Sequence, residues 1–505
     1  MSPLQTLGRL PSQFSVLLTR ILSIMLLTLR PILRLPAVAK TLIIVPLLLF
    51  LYLSLASPSL PSLAKNNTDA RPGVKHPDVS VTPLNISQWG ERGSRVSQLA
   101  QWADLLIQHP SENRSLFEAA LVAQFPYLEH ALDSIYTPWD LTQTRSSSPS
   151  SDHGFVICAG SGNFQLAAHL IRSLRRVHGS STPFEIAYAG DDDLKPEHRK
   201  FLADLESDIT FIDVLQRFPA ARRDLVKSGW AMKPFALLAS AHSRAILMDA
   251  DALFLSSPDS LFEEHPALAQ TGTLFFHDRA AVGGGDERRL WVKAQIEAAG
   301  AQPSKYLATE SLFYEGAAWY EADSGVVALD RTNPRVLLGL MFATWMNTKD
   351  VREEITYKIF YGDKESFWLA MELSGFEYSF QPWYAGTMGT VTDQDGQPAD
   401  LKSAVEICGT HMLHLDYLGQ KPFWINGGIY EHKDSPETGY AVMSHYWVGN
   451  TSSIRLTQPK WYWVKGNVAC LKETGVKILP EATKMAMRKT HEQAREVDEM
   501  IKKLQ

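Results

Sequence analysis

From residue 155 onward the chain alternates between short apolar runs and stretches of helical period. Phe155–Gly160, Phe184–Ala189, Ile209–Val214 and Arg244–Met248 are apolar runs of strand length. Between them, Asn163–Val177, Pro196–Leu205 and Ala231–Ala239 carry a helical pattern. This alternation predicts an α/β fold with a mainly parallel sheet. In such sheets ligands bind beyond the carboxyl ends of the strands. Upstream, Val96, Leu99, Ala100, Ala103, Leu106 and Ile107 predict a small helical subregion, and Ser146–Ser151 reads as a linker. Glu481–Gln505 predicts an exposed, charged amphipathic helix.

The N-terminal pattern is different. Arg9, Arg20, Arg30, Arg34 and Lys40 all precede the first acidic residue, Asp69, and no charge interrupts the chain between Lys40 and Lys65. A bilayer-spanning helix needs about 20 such residues. The basic flank predicts a cytoplasmic tail over 1–40, a transmembrane signal-anchor over 41–60 and a lumenal remainder, with a cleaved signal peptide as the alternative. The Phe14–Leu29 region, broken by Arg20, reads as interfacial or cytosolic. A stem over 61–95, the helical subregion and linker over 96–150, a catalytic domain over 151–470 and a helical extension over 471–505 complete the expected organisation. Sequons at Asn66, Asn85, Asn113 and Asn450 agree with a lumenal location. Of three cysteines, Cys408 and Cys470 are a possible disulfide pair, and Cys158 reads as a buried thiol. A net charge of −6 and a pI near 6.2 provide no basic field for nucleic acid.

Candidate chemistry concentrates in Ala245–Leu255, where Asp249 and Asp251 flank Ala250 inside an apolar run. In a continuous strand the two carboxylates would share a face and call for a divalent cation such as Mn²⁺ or Mg²⁺. If the strand instead ends at Asp249, both are solvated in a turn. Lys233 stands one helix and one strand earlier, placed for a phosphate or sugar hydroxyl, or simply solvated. Gly160, in the turn after the first strand, allows a ligand to approach the following helix N-terminus, or serves only as a tight turn. His414, Gly419 and Lys421 lie in Cys408–Trp424, where an imidazole, a glycine and a cation could close a diphosphate site or form a surface loop.

Asp249-Ala250-Asp251, the preceding Lys233, and His414 with Gly419-Gln420-Lys421-Pro422 resemble the set found in glycogenin-like retaining glycosyltransferases of the GT-A fold. The blocks Thr271–Arg279, Asp323–Val327 and Gly362–Trp368 are similar to those of the fungal α-1,3-mannosyltransferases, glycosyltransferase family 71. The resemblance covers roughly Phe155–Trp447. It implies a GT-A domain behind a Golgi type II anchor. Asp249, Asp251 and His414 would be the metal ligands, Lys233, Lys421, Gly419 and Gly160 would be the donor contacts, and Asp363 would be the acid near the reacting carbon, with Asp323 and Glu365 as alternatives. It further implies GDP-mannose as donor and a glycoprotein or mannan glycan as acceptor. Two departures stand out: Phe423 intervenes before Trp424, and His277 precedes Asp278-Arg279 in place of a basic residue. The competing readings are a transferase using another nucleotide sugar, a phosphatase with paired aspartates, and a non-catalytic glycan-binding subunit of a transferase complex. Leu253, four residues after Asp249, disfavours the phosphatase.

Overall fold

The apolar runs become strands in the computed structural model, which describes residues 82–109, 113–140, 152–263, 265–281, 285–391, 401–432, 437, 439–464 and 468–504. β1 (His153–Cys158), β2 (Phe184–Tyr188), β3 (Ile209–Asp213) and β4 (Arg244–Asp249) are mutually parallel, and β5 (Ala252–Phe254) follows in a second sheet. With β6 (Thr273–His277), β7 (Ala322–Asp330) and β8 (Phe380–Tyr384), they complete a seven-stranded sheet of order β3-β2-β1-β4-β7-β6-β8. β7 runs antiparallel to both neighbours, and the other six share one direction. The mainly parallel α/β expectation is met.

Alternation along β1 explains why both faces are covered. Val156 enters one core with the helix Met232–Ala239, while Phe155 and Ile157 enter another with the helix Phe164–Arg176. The first core also absorbs the predicted helical subregion. Its helix runs Trp89–Gln108, so it begins inside the segment expected as stem, and buries the anticipated Val96, Leu99, Ala100, Ala103 and Leu106. Two glycines let this helix come close to its neighbours. A Cβ on Gly90 would lie 2.4 Å from the Gln295 carbonyl oxygen, and one on Gly93 would lie 2.2 Å from that of Leu373. Trp89 packs edge-on against Trp291 and Trp345, with centroids 4.8 and 5.7 Å away.

The second sheet joins β9 (Gly386–Val391), β10 (Val405–Leu415), β11 (Pro422–Asn426), β12 (His445–Trp447), β13 (Tyr462–Val464), β14 (Val468–Glu473) and β15 (Lys477–Ile478) to β5. Cys408 and Cys470 stand directly opposite each other on antiparallel β10 and β14, and form a disulfide with their Cα atoms 4.2 Å apart. The helix Glu481–Lys502 departs from the exposed expectation on one face. Thr483, Met487, Thr490, Ala494, Val497 and Ile501 are buried, and Ser173 and Thr490 hydroxyls meet at 3.1 Å against the helix Phe164–Arg176. The expected tail at 1–40 and span at 41–60 lie outside the described residues. Among the described residues no helix is long and apolar enough to cross a membrane.

Candidate active site

β4 ends at Asp249, and Ala250-Asp251 form a turn before β5. The two aspartates are therefore not alternate residues of one strand. Both nevertheless line the same cavity of about 700 Å³ beyond the carboxyl ends of β1, β2 and β4, together with Gly160, Asn163, Asp193, Trp230 and Lys233. The turn is pinned from the second sheet. Gly427 and Gly428 donate their backbone N–H groups to the Asp251 carbonyl at 3.1 and 2.7 Å. Their φ values of 130° and 75° are open to glycine and strained for other residues.

Lys233 is the hub of this site. The residue is 5% exposed, and its Nζ lies 2.8 Å from Asp249 Oδ1 and 3.7 Å from Asp363 Oδ1. It also donates to the Ser324 hydroxyl at 3.1 Å, and that hydroxyl donates to Asp363 Oδ2 at 3.0 Å. Burial opposes the Lys233 charge, but Asp249 and Asp363 outweigh it and hold the ammonium above the usual lysine range. Burial pushes the Asp249 carboxyl up to about 7, against the pull of Lys233 and with a further push from Asp251. Burial likewise raises Asp363, with Lys233 and Ser324 opposing. The site is thus a net-acidic pocket with one buried cation at its base.

The remaining candidates have further partners, although Asp323 also acts on the Lys233 charge. His414 has partners of its own. Its Nε2 pairs with Asp323 Oδ2 at 3.0 Å, and its ring stacks on Trp424 with centroids 4.1 Å apart. Asp323 also accepts from the Gly325 amide at 2.9 Å and from Asn426 Nδ2 at 3.3 Å. Burial would raise this carboxyl, but the hydrogen bond and charge of His414 hold it below the usual range. Glu365 is fully buried and accepts from the Glu321 and Ala322 amides and from the Trp368 indole. Burial pushes it up to about 7. Its oxygens brace the start of β7.

Gly419 and Lys421 are likewise outside the lining. They belong to the tight β10–β11 turn, closed by the Gly419 amide on the Asp416 carbonyl at 2.9 Å and by the Asp416 amide on the Lys421 carbonyl at 3.0 Å. Lys421 is exposed, and a Cβ on Gly419 would collide with the Trp383 ring at 2.1 Å. That packing by itself requires a glycine there. Gly160 does line the cavity: its amide donates to Asn163 Oδ1 at 2.8 Å, and a Cβ would lie 2.6 Å from Asp193 Oδ1. Cys158 also lines it, with its thiol raised by burial.

Asp193, Ser324 and His411 escaped the reading of the sequence. Asp193 follows the end of β2 as Asp249 ends β4, a positional signal that was available. Ser324 lies inside the Asp323–Val327 block. His411 had no signal, because only the fold places it. It is 1% exposed, and Thr410 Oγ1 meets its Nδ1 at 2.8 Å. Burial pushes His411 down to about 4, opposed by hydrogen bonds with the Gly428 and Tyr430 backbone and by the Asp251 charge.

With this geometry in place, the comparisons are direct. Alpha-1,3-mannosyltransferase MNN1 of Saccharomyces cerevisiae is 25% identical over 348 residues, covering 60% of this chain and 44% of that protein. Alpha-1,3-mannosyltransferase MNT3 of the same organism is 25% identical over 205 residues, covering 36% of this chain and 31% of its own length. The chain thus spans less than half the length of these two relatives. Among solved structures, the mannosyltransferase Ktr4p from S. cerevisiae aligns at TM-score 0.28 and 12% identity, covering 55% of this chain and 81% of that one. The core-mannan synthase A from Aspergillus fumigatus, in its Mn/GDP form, aligns at TM-score 0.29 and 11% identity, covering 48% and 74%. The mannosyltransferase family Mannosyl_trans3 matches residues 152–416, more than half of the 505. This chain belongs to that mannosyltransferase family.

Proposed function

We propose that the protein is a retaining α-1,3-mannosyltransferase of GT-A type, anchored in the Golgi membrane, that moves mannose from GDP-mannose to a hydroxyl of a glycoprotein or mannan glycan. The observation that carries this reading is the buried Lys233 held between Asp249 and Asp363 at the carboxyl ends of the parallel strands. The order of the sheet and its single reversed strand support the GT-A assignment. The Cys408–Cys470 disulfide agrees with an oxidising lumen.

The donor set fits a hard divalent cation, Mn²⁺ or Mg²⁺, in part. Asp249 and Asp251 supply carboxylates to one cavity, and the raised Asp249 carboxyl marks a place where added positive charge is favourable. Among the described residues no group of three His, Cys, Asp or Glu side chains is gathered to hold an ion. We assign the third position to His411, on which the Asp251 charge acts, in preference to His414, which pairs with Asp323. When bound, the cation would offset the charge that builds on the departing diphosphate.

The chain's own residues account for the rest. Lys233 fixes the orientation of Asp249 and Asp363 and supplies a permanent positive charge at the base of the donor site. Asp363, held by the Ser324 hydroxyl, faces the carbon that becomes oxocarbenium-like as the diphosphate leaves. Gly160 and Asn163 leave room at a helix N-terminus for the nucleotide. Same-face attack assisted by the leaving phosphate needs no covalent nucleophile. The test is transfer by the purified full chain from a panel of GDP- and UDP-sugars with Mn²⁺, followed by linkage determination. An α-1,3-mannoside made from GDP-mannose is expected. Consumption of another donor, or of none, overturns the assignment.

A further inference from the structure

We propose that the exposed ring pair Trp230–Tyr361 is the platform on which a pyranose of the acceptor glycan stacks while its hydroxyl approaches the reacting carbon. This deepens the function proposed above and rests on the placement of Asp363. Large aromatic side chains left in solvent are informative when they gather at a polar cavity. Trp230 is 50% exposed and Tyr361 is 62% exposed, with ring centroids 5.3 Å apart and planes tilted by 45°. Trp230 also lines the cavity that holds Lys233, Asp249 and Asp251.

One short turn couples this pair to the chemistry. Gly362, between Tyr361 and Asp363, adopts φ 74°, and a Cβ there would lie 2.9 Å from the Trp230 ring. The same turn therefore presents an aromatic ring to solvent and, two residues later, a carboxylate 3.7 Å from Lys233. The acceptor hydroxyl must reach the carbon that Asp363 faces, so whatever stacks on Tyr361 stands on the acceptor side. Gly160, Asn163 and Asp193, beyond β1 and β2, are left for the nucleoside.

The chemistry of the surroundings selects a sugar. A pyranose has an apolar C–H face and a rim of hydroxyls. The rings suit the face. A neighbouring groove of about 610 Å³, lined by Asp286, Glu287, Arg288, Trp291 and Lys358, suits the rim. Arg288 Nε donates to the Ile359 carbonyl at 2.8 Å, which ties that groove to the strand of chain leading into Tyr361. Its mixed charge would not attract an anionic surface.

The test uses the purified full chain and an α-linked mannose trisaccharide. Binding without donor is measured by calorimetry, and steady-state transfer is measured with GDP-mannose and Mn²⁺. Tyr361→Ala is expected to weaken trisaccharide binding and raise the acceptor KM about tenfold, consistent with loss of a stacked ring. The donor KM should move by no more than about twofold. Tyr361→Phe, which keeps the ring, should restore binding, and Trp230→Phe should retain most of it. Trisaccharide binding unaffected by Tyr361→Ala, absence of binding in the wild type, or equal rises in donor and acceptor KM would overturn the platform. Tyr361-dependent binding without any use of GDP-mannose would leave the platform standing and remove the donor assignment.

Discussion

Asp249, at the end of β4, and Asp498, on the helix Glu481–Lys502, are both carboxylates drawn into the protein, and they are treated in opposite ways. Asp249 faces a single cation, Lys233, and shares its cavity with Asp251 and its cation with Asp363. Burial raises it to about 7. Asp498, on the helix Glu481–Lys502, accepts from His169 at 2.6 Å, Gln165 at 2.7 Å, Tyr440 at 2.5 Å and Tyr430 at 3.0 Å. Burial would raise it too, but His169, Tyr440 and Gln165 hold it at about 2. The Asp498 cluster is complete as it stands and ties the helix to the core. The Asp249 cluster has more negative charge than its lysine offsets, the condition in which a cationic ligand is gained at least cost. Unequal satisfaction, rather than burial itself, separates the reactive acid from the brace.

Substitution should break the comparison from both ends. The largest effect is expected of Asp249→Asn, which keeps the shape and removes the charge: transfer should fall about a hundred- to a thousandfold, with little change in melting temperature. Turnover within a few-fold of wild type in a single-turnover assay would remove Asp249 from the chemistry. Asp498→Ala should act in the reverse sense. It strands the donors of four side chains, so urea denaturation should show stability lowered by about 2–4 kcal/mol. Activity per folded molecule should stay close to wild type. A large loss of turnover without a loss of stability would show that the helix Glu481–Lys502 serves the active site directly.

The same distinction explains what could be read in advance. The expected strands and helices fall within a residue or two of those observed from Phe155 to Met248, because each apolar run buries both faces of a parallel sheet and ends in a turn at the ligand side. Asp249, Asp251, Lys233 and Gly160 were legible for that reason: position after a strand implies position at the cavity. His414 was not. Spacing in Cys408–Trp424 names a histidine but leaves open which face of β10 it takes, and the residue in fact stacks on Trp424 and pairs with Asp323. Lys421 and Gly419 were drawn in by the same motif, yet their turn is shaped by Trp383. The antiparallel sheet escaped altogether, since its contacts, such as Gly427 on Asp251, join residues far apart in the chain.

Histidine offers a finer separation of site from brace. His414–Asp323 resembles His169–Asp498, an imidazole paired with a buried carboxylate, whereas His411 meets the Thr410 hydroxyl and feels the Asp251 charge. His411→Ala should raise the Mn²⁺ concentration for half-maximal transfer about tenfold while leaving the fold intact. His414→Ala should lower thermal stability and leave the metal titration of the surviving protein unchanged. An interchange of these two outcomes would return the metal role to His414.

The smallest effect is one of pH. Asp498 has a folded pKa of about 2 and an unfolded value near 3.9, as for an ordinary aspartate. A depressed carboxyl contributes stability that is fully present above the unfolded value and is lost as pH falls through the folded one. Other groups also titrate in this range, so the informative quantity is the difference in urea midpoint between wild type and Asp498→Asn. From about pH 5 that difference should shrink steadily as pH falls toward about 2. A gap that persists unchanged at the acid end would mean that the carboxylate charge contributes nothing, and that the brace is held by hydrogen bonds which asparagine makes equally well.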